Sequence, residues 1–387
     1  MAEVCAAGIQ PGLARMRKLL QLLQHPEQGL NFIHIAGTNG KGSVAAAMDS
    51  VLREAGFRPG LYTSPHLVDF RERFRVDGRM VSGKVLRNNM EAVIRVIQKL
   101  PCQKRPTLFE AATAIALRIF REERVDFVVW ETGLGGRLDA TNVVSPELCL
   151  LTSLGRDHEE ILGRGYAKIG KEKAGILKRG VPVFSVPWPA EAARILKQRA
   201  RKLRCPLKLV RPLPAAYGSP RLLGNHQRWN LSLAREAGRY LGFPDRWIRR
   251  GLRKTEWPGR FQILDNKRRL VLDGAHNLEG VRSALHAWRK RFGGSPARIL
   301  FGCLKDKPSR EMLAELEKAG AKIWGVVLPD ARSSDPLRWE IHPTRIFSGV
   351  KQALEMDRRE PTPGGTLILG SLVLAGEVLR AKGWRPE

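Results

Sequence analysis

Residues 32–43 read FIHIAGTNGKGS, and this stretch decides the fold of the chain. The five residues from Phe32 to Ala36 have the pattern of a short buried strand. A glycine-rich turn follows, and a helical run continues from Ser43 to Ala55. Glycines let the backbone wrap a phosphate group, and the N-terminus of a helix adds positive potential. The stretch therefore predicts a strand, a phosphate-binding loop and a helix, in that order.

The loop also carries the side chains expected around a nucleotide. Lys41 is placed to bridge the β- and γ-phosphates, and Ser43 is placed to face Mg²⁺. Only two residues separate Gly37 from Gly40, so the loop is shorter than the Walker A pattern, which has four there. An ordinary glycine-rich turn is the alternative interpretation. The loop residues expected to bind the nucleotide are Thr38, Asn39, Gly40, Lys41, Gly42 and Ser43.

Strands and helices alternate along the rest of the chain. Apolar strands at 125–130 and 148–152 are followed by polar clusters, at Glu131 and at Asp157-His158. This order predicts a parallel sheet with helices on both faces and a ligand site at the carboxyl ends of its strands. A second alternation starts after residues 257–260. We therefore expect an α/β domain over residues 1–258 and a smaller one over residues 259–387.

Composition argues against several classes of protein. Of the 387 residues, 43% are hydrophobic and 27% are charged, which is unlike a disordered chain. No uncharged apolar run is long enough to cross a membrane, and the N-terminus lacks the order of a signal peptide. We therefore expect a cytoplasmic protein without a membrane partner. The five cysteines are widely spaced, as expected for reduced thiols rather than disulfides or a zinc site.

The net charge of +29 is the unusual feature of the composition. It suggests nucleic-acid binding, but the basic residues are spread along the whole chain rather than gathered in one tail or block. A general bias towards arginine and attraction of anionic small substrates are the other two interpretations. We do not expect nucleic acid to be the primary partner.

Further motifs carry the most specific signal. They are TSPHL at 63–67, ETGLGGRLDATN at 131–142, DHEEILG at 157–163, KEKAGI at 171–176, WPGRFQ at 257–262, DGAHN at 273–277 and GSL at 370–372. Together with AGTNGKGS at 36–43, they make the chain resemble the bacterial folylpolyglutamate synthase/dihydrofolate synthase family of the Mur ligase superfamily. The resemblance spans nearly the whole chain, with the motifs in the family's order.

The resemblance implies both a fold and a reaction. The fold is a P-loop Mur-ligase-type central domain with a parallel sheet, plus a smaller Rossmann-like C-terminal domain, and the site lies in the cleft between them. The reaction is an ATP-dependent amide ligation. A carboxylate of dihydropteroate or of a reduced folate attacks the γ-phosphate, and the amine of L-glutamate attacks the resulting acyl phosphate.

The resemblance also assigns roles that the residues alone do not. On its own, Ser64 is a turn serine, His158 a structural histidine and Lys173 a helix-surface lysine. By resemblance, two Mg²⁺ ions are held by Ser43, Ser64, Glu131 and His158, and Lys173 is carbamylated; a monovalent cation is also compatible with the family. ATP is held by Asn230, Arg260 and Asp273 besides the loop, the incoming glutamate contacts His276 and Ser371, and the catalytic residues are Lys41, Lys173 and His276.

A pterin-binding region is implied by the same resemblance. Gly8 to Gly12 is similar to a family stretch that covers the pteroate. The residues expected to bind this substrate are Gln10, Pro11, Thr107, Leu108, Phe109, Glu110, Arg137, Leu138 and Asp139. The helix that precedes the stretch in the family is absent or very short here. In the second domain, Lys305-Asp306-Lys307-Pro308 replaces a DKD-type run.

Three interpretations of function remain at this stage. The leading one is a folate–glutamate ligase that acts as a monomer, either bifunctional or a folylpolyglutamate synthase only. The second is another Mur-type ligase that acts on a different acid, and TSPHL together with GLGGRLDATN argues against it. The third is a basic nucleic-acid-binding protein without ATP turnover.

Overall fold

The computed structural model describes residues 5, 6 and 8–386. It contains two α/β units, of which the first carries the phosphate-loop sequence. The strands of this first unit are β1 (Phe32–Ala36), β2 (Pro59–Tyr62), β3 (Phe74–Val76), β4 (Arg79–Met80), β5 (Phe127–Glu131), β6 (Pro146–Leu151), β7 (Val183–Ser185) and β8 (Leu207–Leu209). Its helices are α1 (Ala14–Leu22), α2 (Lys41–Glu54), α3 (Gly83–Gln98), α4 (Leu108–Glu122), α5 (Glu159–Leu162), α6 (Tyr166–Lys173), α7 (Ala190–Lys202), α8 (Asn225–Tyr240) and α9 (Asp245–Lys254).

The first sheet has eight strands in the order β4-β3-β2-β5-β1-β6-β7-β8. Six neighbouring strands are parallel, in the order β2-β5-β1-β6-β7-β8. Strands β3 and β4 form an antiparallel edge beside β2. Strand β1 lies between β5 and β6, and all five of its residues are buried. The carboxyl ends of these three strands therefore meet at one edge of the sheet, where ligands bind in folds of this kind.

The second unit is smaller and has a six-stranded sheet. Its strands are β9 (Gln262–Asp265), β10 (Leu270–Leu272), β11 (Arg298–Phe301), β12 (Lys322–Val326), β13 (Arg345–Phe347) and β14 (Thr366–Leu369), in the order β13-β12-β11-β14-β10-β9. Its helices are α10 (Leu278–Phe292), α11 (Ser309–Lys318), α12 (Val350–Arg359) and α13 (Leu372–Ala381). Only the edge strand β9 pairs in the antiparallel direction.

Both faces of the first sheet are covered by separate apolar cores. On one face, α2 and α8 pack over Ile33, Ile35 and Val129. On the other face, an aromatic group around Trp130 packs under α4. Burial on both faces explains why β1 and β5 are mainly apolar instead of alternating between apolar and polar residues.

The two-unit α/β architecture confirms the predicted fold class, but some element boundaries differ. The helix predicted from Ser43 begins at Lys41, because Gly40 adopts a left-handed conformation immediately before it. The sequence from Ala275 to Arg291 also predicts a helix, but this helix begins at Leu278, because the Asn277 side chain accepts a hydrogen bond from Gly280 N and caps it. The domain boundary at residues 258 and 259 stays a prediction.

The two units pack closely against each other. A Cβ atom at Gly376, in α13, would lie 2.1 Å from the carbonyl oxygen of Leu67 in the first unit. Glycine therefore permits the contact between this helix and the loop after β2. All five cysteines carry free thiols. Within residues 5, 6 and 8–386, no helix combines the length and apolar character needed to cross a bilayer.

Candidate active site

The phosphate loop lies at the carboxyl end of β1 and leads into α2. Gly40 has a φ of 91°, and a Cβ atom there would approach the Asn230 side chain to 2.4 Å. The Lys41 ammonium folds back over the loop and donates to the carbonyl oxygens of Gly37 and Thr38, at 3.2 Å each. Free backbone N–H groups at the start of α2 point to the same space. The loop is therefore shaped as an anion cradle.

A cavity of about 510 Å³ opens beside this loop, between the two units. The first unit contributes the loop, Glu131 and Lys173, and the second unit contributes Arg260 and His276. Trp229 and Pro187 line the cavity as well. The cavity is thus large enough for a nucleotide and has a cationic end next to the loop.

Hard oxygen donors gather at the floor of the cavity. Glu131 is buried, and its Oε2 atom accepts a hydrogen bond from Ser64 N at 2.9 Å. Burial raises the pKa of Glu131, although the nearby Lys41 ammonium opposes the shift. The Ser43 hydroxyl lies at the start of α2, 3.3 Å from the side-chain amide of Gln227. A carboxylate and two hydroxyls are the donors that Mg²⁺ prefers, so these residues fit one such ion.

His158 lines the same cavity and belongs to a cluster of charged side chains with Asp157 and Lys307. Its Nε2 atom is 3.0 Å from the Lys307 ammonium, which also contacts Asp157 Oδ1 at 3.0 Å. Burial lowers the pKa of His158 to about 4. Burial disfavours the Asp157 carboxylate, but His276 and Lys307 hold its pKa below the usual range. Within the described ranges, no three His, Cys, Asp or Glu side chains are grouped as a metal site.

Lys173 lies at the end of α6 with its side chain buried in the same cavity. Its ammonium group donates to the carbonyl oxygen of Gly37 at 2.8 Å. Burial, assisted by the positive charge of Lys41, lowers the pKa of Lys173 to about 7. A large fraction of this side chain is therefore a neutral amine near pH 7, unlike an exposed lysine.

The second unit presents Asp273 and His276 to the cavity on the loop after β10. The Asp273 carboxylate accepts hydrogen bonds from Phe261 N at 2.7 Å and Ala275 N at 2.8 Å, so it ties two loops together. Burial raises the pKa of Asp273, and Arg260 opposes this shift. His276 Nδ1 lies 2.8 Å from the carbonyl oxygen of Gly274, and its Nε2 lies 3.5 Å from Asp157 Oδ2.

A second cavity, of about 370 Å³, adjoins the first and is mainly apolar. Its lining includes Gln10, Pro11, Phe109, Leu134 and Leu138. The two cavities share the lining residues Ser64, Pro65, Gly133, Leu134, His158 and Leu162. A flat apolar group in the second cavity could therefore extend a polar tail to the phosphate loop.

Several polar residues of this second cavity are already engaged by the fold. Thr107 and Glu110 form a reciprocal capping box at the start of α4, with hydrogen bonds of 3.2 and 2.7 Å. Asp139 accepts from Leu134 N, Thr141 N and the Thr141 hydroxyl. Burial raises the pKa of Asp139 against these hydrogen bonds. These side chains shape the cavity as well as face it.

Of the predicted site residues that the structure describes, Leu108 and Ser371 stand apart from both cavities. Leu108 is 44% exposed. Ser371 is buried, and its hydroxyl caps α13 by accepting from Leu374 N at 3.0 Å. Its neighbour Leu372 does line the first cavity. Arg137 lines the second cavity while pairing with Glu172 at its rim.

Several known proteins are similar to this chain both in sequence and in fold. The glutamate ligase domain of the Mur ligases matches residues 259–371. The dihydrofolate synthase/folylpolyglutamate synthase of Bacillus subtilis is 38% identical over 342 residues, covering 80% of this chain and 79% of that protein. The chain belongs to the folylpolyglutamate synthase/dihydrofolate synthase family. It is therefore an ATP-dependent ligase of the Mur type.

Solved structures of this family agree over almost the full length. Escherichia coli FolC in complex with DHPP and ADP superposes with a TM-score of 0.90 at 26% identity, covering 98% of this chain and 95% of that chain. The Yersinia pestis bifunctional folylpolyglutamate synthase/dihydrofolate synthase, complexed with AMPPNP and a Mn ion, superposes with a TM-score of 0.86 at 27% identity over 98% and 95% of the two chains. Nucleotide and divalent metal use are thus family properties.

Three residues in or next to the first cavity, Asp157, Asn277 and Lys307, have no predicted role. Asn277 and Asn39 exchange two amide hydrogen bonds, of 3.0 and 3.1 Å, between the second unit and the phosphate loop. Asn277 also donates to Asp157 at 3.2 Å. Both Asn277 and Asp157 stand inside quoted motifs, so their positions were visible in the sequence. Lys307 was visible only as part of a departure from the family pattern.

Proposed function

We propose that this ligase joins L-glutamate to the carboxyl group of dihydropteroate and to that of reduced, glutamylated folates, with conversion of ATP to ADP and phosphate. The observation that carries the proposal is the junction of the two cavities beside the phosphate loop. A ring held between Phe109 and Leu138 would place its carboxylate tail next to the γ-phosphate held at Lys41. The names of the relatives support the same acceptors.

In the first step a carboxylate oxygen attacks the γ-phosphorus, and the bond to ADP breaks. Both reactants are anions, so the residues around them must offset their repulsion. Lys41 and the N-terminus of α2 supply positive charge from the first unit, and Arg260 supplies it from the second. Mg²⁺ bound at Ser43, Ser64 and Glu131 would neutralise further phosphate charge. The product is an acyl phosphate.

In the second step the glutamate amine attacks the acyl carbon and phosphate leaves. The amine loses a proton, and His276 would accept it. Because its Nδ1 faces the Gly274 carbonyl, Nδ1 carries the hydrogen in the neutral ring, and Nε2 would take up the proton. Asp157 lies 3.5 Å from Nε2 and would stabilise the imidazolium that forms. A contact between Ser371 and glutamate stays a prediction.

Lys173 is proposed to act as a carbamate. A neutral lysine amine attacks CO₂, a nitrogen–carbon bond forms, and one proton is released to solvent. The lowered pKa of Lys173 provides the neutral amine, and the neighbouring Lys41 would pair with the new anion. Carbon-13 NMR of protein equilibrated with labelled bicarbonate tests this directly, because Lys173→Ala should lose one carbamate signal that Lys171→Ala keeps.

The remaining expectations are a monomeric enzyme, a second Mg²⁺ ion and compatibility with a monovalent cation. Light scattering tests the first of these. Replacing K⁺ by tetramethylammonium tests the third, because turnover should fall only if a small monovalent cation is bound.

The main test of the proposal is ADP release by purified protein with ATP, Mg²⁺ and L-glutamate. Three reactions contain dihydropteroate, a reduced folate or no acceptor. We expect turnover with both acceptors and none without them. Turnover with folate alone would limit the activity to folylpolyglutamate synthesis. If the protein binds ATP but releases no ADP with either acceptor, the proposal would be contradicted.

A further inference from the structure

The loop after β2 brings Ser64 to the place where the two cavities meet. We call residues 63–69 the Ser64 loop. Ser64 and Pro65 line both cavities, and Ser64 N donates to the Glu131 carboxylate at 2.9 Å. A shift of this loop would therefore move a wall of both cavities at once.

A single buried carboxylate holds the outer half of the Ser64 loop. The Glu72 residue is 7% exposed. Its Oε2 atom accepts a hydrogen bond from Leu67 N at 3.0 Å, and its Oε1 atom accepts from Val68 N and Asp69 N at 2.7 Å each. Hydrogen bonds to a charged acceptor are stronger than those to a neutral one. Glu72 therefore ties the loop firmly to the short helical turn Phe70–Arg73, which leads directly into β3.

The second unit supports the same loop from the other side. A Cβ atom at Gly376, in α13, would lie 2.1 Å from the Leu67 carbonyl oxygen, so the helix backbone packs directly on the loop. The Arg380 guanidinium of the same helix donates to the Val68 carbonyl oxygen at 3.5 Å. The backbone at Leu67 and Val68 is thus held between a carboxylate of the first unit and a helix of the second.

We propose that Glu72 is a positioning residue of the active site. Together with α13 it fixes the Ser64 loop, and through the loop it places Ser64 beside Glu131 at the junction of the cavities. Among the residues that the structure describes, Glu72 lines neither of these two cavities, so it acts through the loop and not on a substrate. The inference rests on the proposed function, because the place of Ser64 matters only if the acceptor and the γ-phosphate meet there. A misplacement of about 1 Å can lower such a rate by about 10²-fold.

The first test replaces Glu72 by glutamine, which keeps the size of the side chain. The amide has one acceptor oxygen, so an NH₂ group would face at least one backbone N–H of the loop. Hydrogen exchange of peptides covering residues 63–71, measured by mass spectrometry, should become at least about tenfold faster than in the wild type. The kcat for ADP release should fall at least about tenfold, while the KM for ATP stays within about twofold of the wild-type value.

Asp357→Asn is the matched control for a loss of stability. Asp357 is also a buried carboxylate with several partners, and it lines neither cavity. Its partners are Arg268, Arg298 and Thr366, all in the second unit. This variant should lower the melting temperature but leave both the exchange of the Ser64 loop and kcat unchanged.

A second variant displaces the loop from the other side and keeps Glu72. Gly376→Ala places a methyl group against the Leu67 carbonyl, and alanine favours a helix more than glycine does, so α13 itself is not weakened. The kcat should again fall, with little change in the KM for ATP. Gly83→Ala adds the same methyl group at the start of α3, where the Arg87 side chain is 3.6 Å away, and should change neither quantity.

Several outcomes would overturn the inference alone. They are unchanged exchange in Glu72→Gln, faster exchange with unchanged kcat, and equal losses of kcat in Glu72→Gln and Asp357→Asn. If Glu72→Gln does not fold, an unchanged kcat in Gly376→Ala would overturn it. A wild type that binds ATP but releases no ADP with either acceptor would contradict the proposed function and the inference with it.

Discussion

The two cavities use the same sheet edge in different ways. The first cavity, which we propose holds the nucleotide and call the nucleotide cavity, is assembled from both units, and charged groups from each unit converge on the phosphate loop. The second cavity, which we propose holds the folate and call the folate cavity, is built by the first unit, with apolar walls and polar side chains that are bound to neighbouring backbone. In the first cavity charged side chains of both units face the space beside the phosphate loop, whereas in the second the polar side chains mainly hold its shape.

We therefore expect the first cavity to determine the rate of the reaction and the second to determine the affinity for the folate substrate. A change in the nucleotide cavity should act on turnover, because it alters charge where charge develops in the reaction. A change in the folate cavity should act on substrate affinity and on stability together, because the same side chains cap helices and loops.

Lys41→Ala should lower kcat/KM by about 10³-fold, since it removes the cation next to the γ-phosphate. Lys84→Ala is the matched control, because Lys84 is an exposed lysine of α3. Steady-state ADP release measures both. A loss below about tenfold in Lys41→Ala would show that the loop does not bind phosphate as described.

Glu131→Gln should lower kcat by about 10²-fold and raise the Mg²⁺ concentration needed for half-maximal rate. The amide keeps the size of the side chain but removes the charge that holds the ion. Glu123→Gln, in a surface ion pair with Arg58, should change neither quantity. An unchanged Mg²⁺ requirement in Glu131→Gln would place the ion elsewhere.

Lys173 should make stability depend on pH. Its pKa is about 7 in the folded chain and 10.5 for an ordinary lysine, so unfolding takes up a proton between these values. The free energy of unfolding should therefore increase, through the contribution of Lys173, as pH rises from about 7 to about 10.5. Urea denaturation at several pH values, in CO₂-free buffer, should show a smaller gain in Lys173→Met than in Lys171→Met. Equal gains would argue against a neutral buried amine.

Thr107→Ala should destabilise the fold by about 1 kcal/mol and raise the KM for folate a few-fold, while the KM for ATP stays constant. The control is Ser82→Ala, which removes the cap of α3 away from both cavities. It should cost similar stability without changing either KM. Thermal denaturation and steady-state kinetics measure these changes in both variants. A rise in the KM for folate in Ser82→Ala as well would show that loss of stability, not loss of a substrate contact, causes it.

Salt should have the smallest effect. If the charge of +29 attracts polyanionic substrates, raising the ionic strength from about 0.05 to about 0.3 M should raise the KM for a polyglutamylated folate about threefold. The KM for a monoglutamate should rise less. Equal responses would leave the charge as a compositional feature.

Much of this architecture could be predicted from local sequence. The buried strand Phe32–Ala36 is confirmed residue for residue, because apolar runs next to glycine-rich turns are strong signals. Helix starts were less accurate, since caps such as Asn277 act through a side chain that no periodicity reveals. The antiparallel edge of β3 and β4 was also missed, because these strands are only three and two residues long.

Long-range pairing limited the prediction of the site. The loop residues and Glu131 follow from strand order, because parallel strands end at one edge. The contact between Lys307 and His158 joins positions 149 residues apart in different units, and neither residue indicates the other. The double use of Thr107 and Asp139, as caps and as cavity walls, likewise becomes visible only in three dimensions.

Transfer of oxygen-18 from the substrate carboxylate to phosphate is the signature of an acyl phosphate intermediate. A folate or dihydropteroate substrate labelled in its reacting carboxylate is converted with ATP and L-glutamate, and the products are analysed by mass spectrometry. If the carboxylate attacks the γ-phosphate where the two cavities meet, one labelled oxygen should appear in inorganic phosphate for each amide formed. Label in AMP, or none in phosphate, would contradict an acyl phosphate at this site.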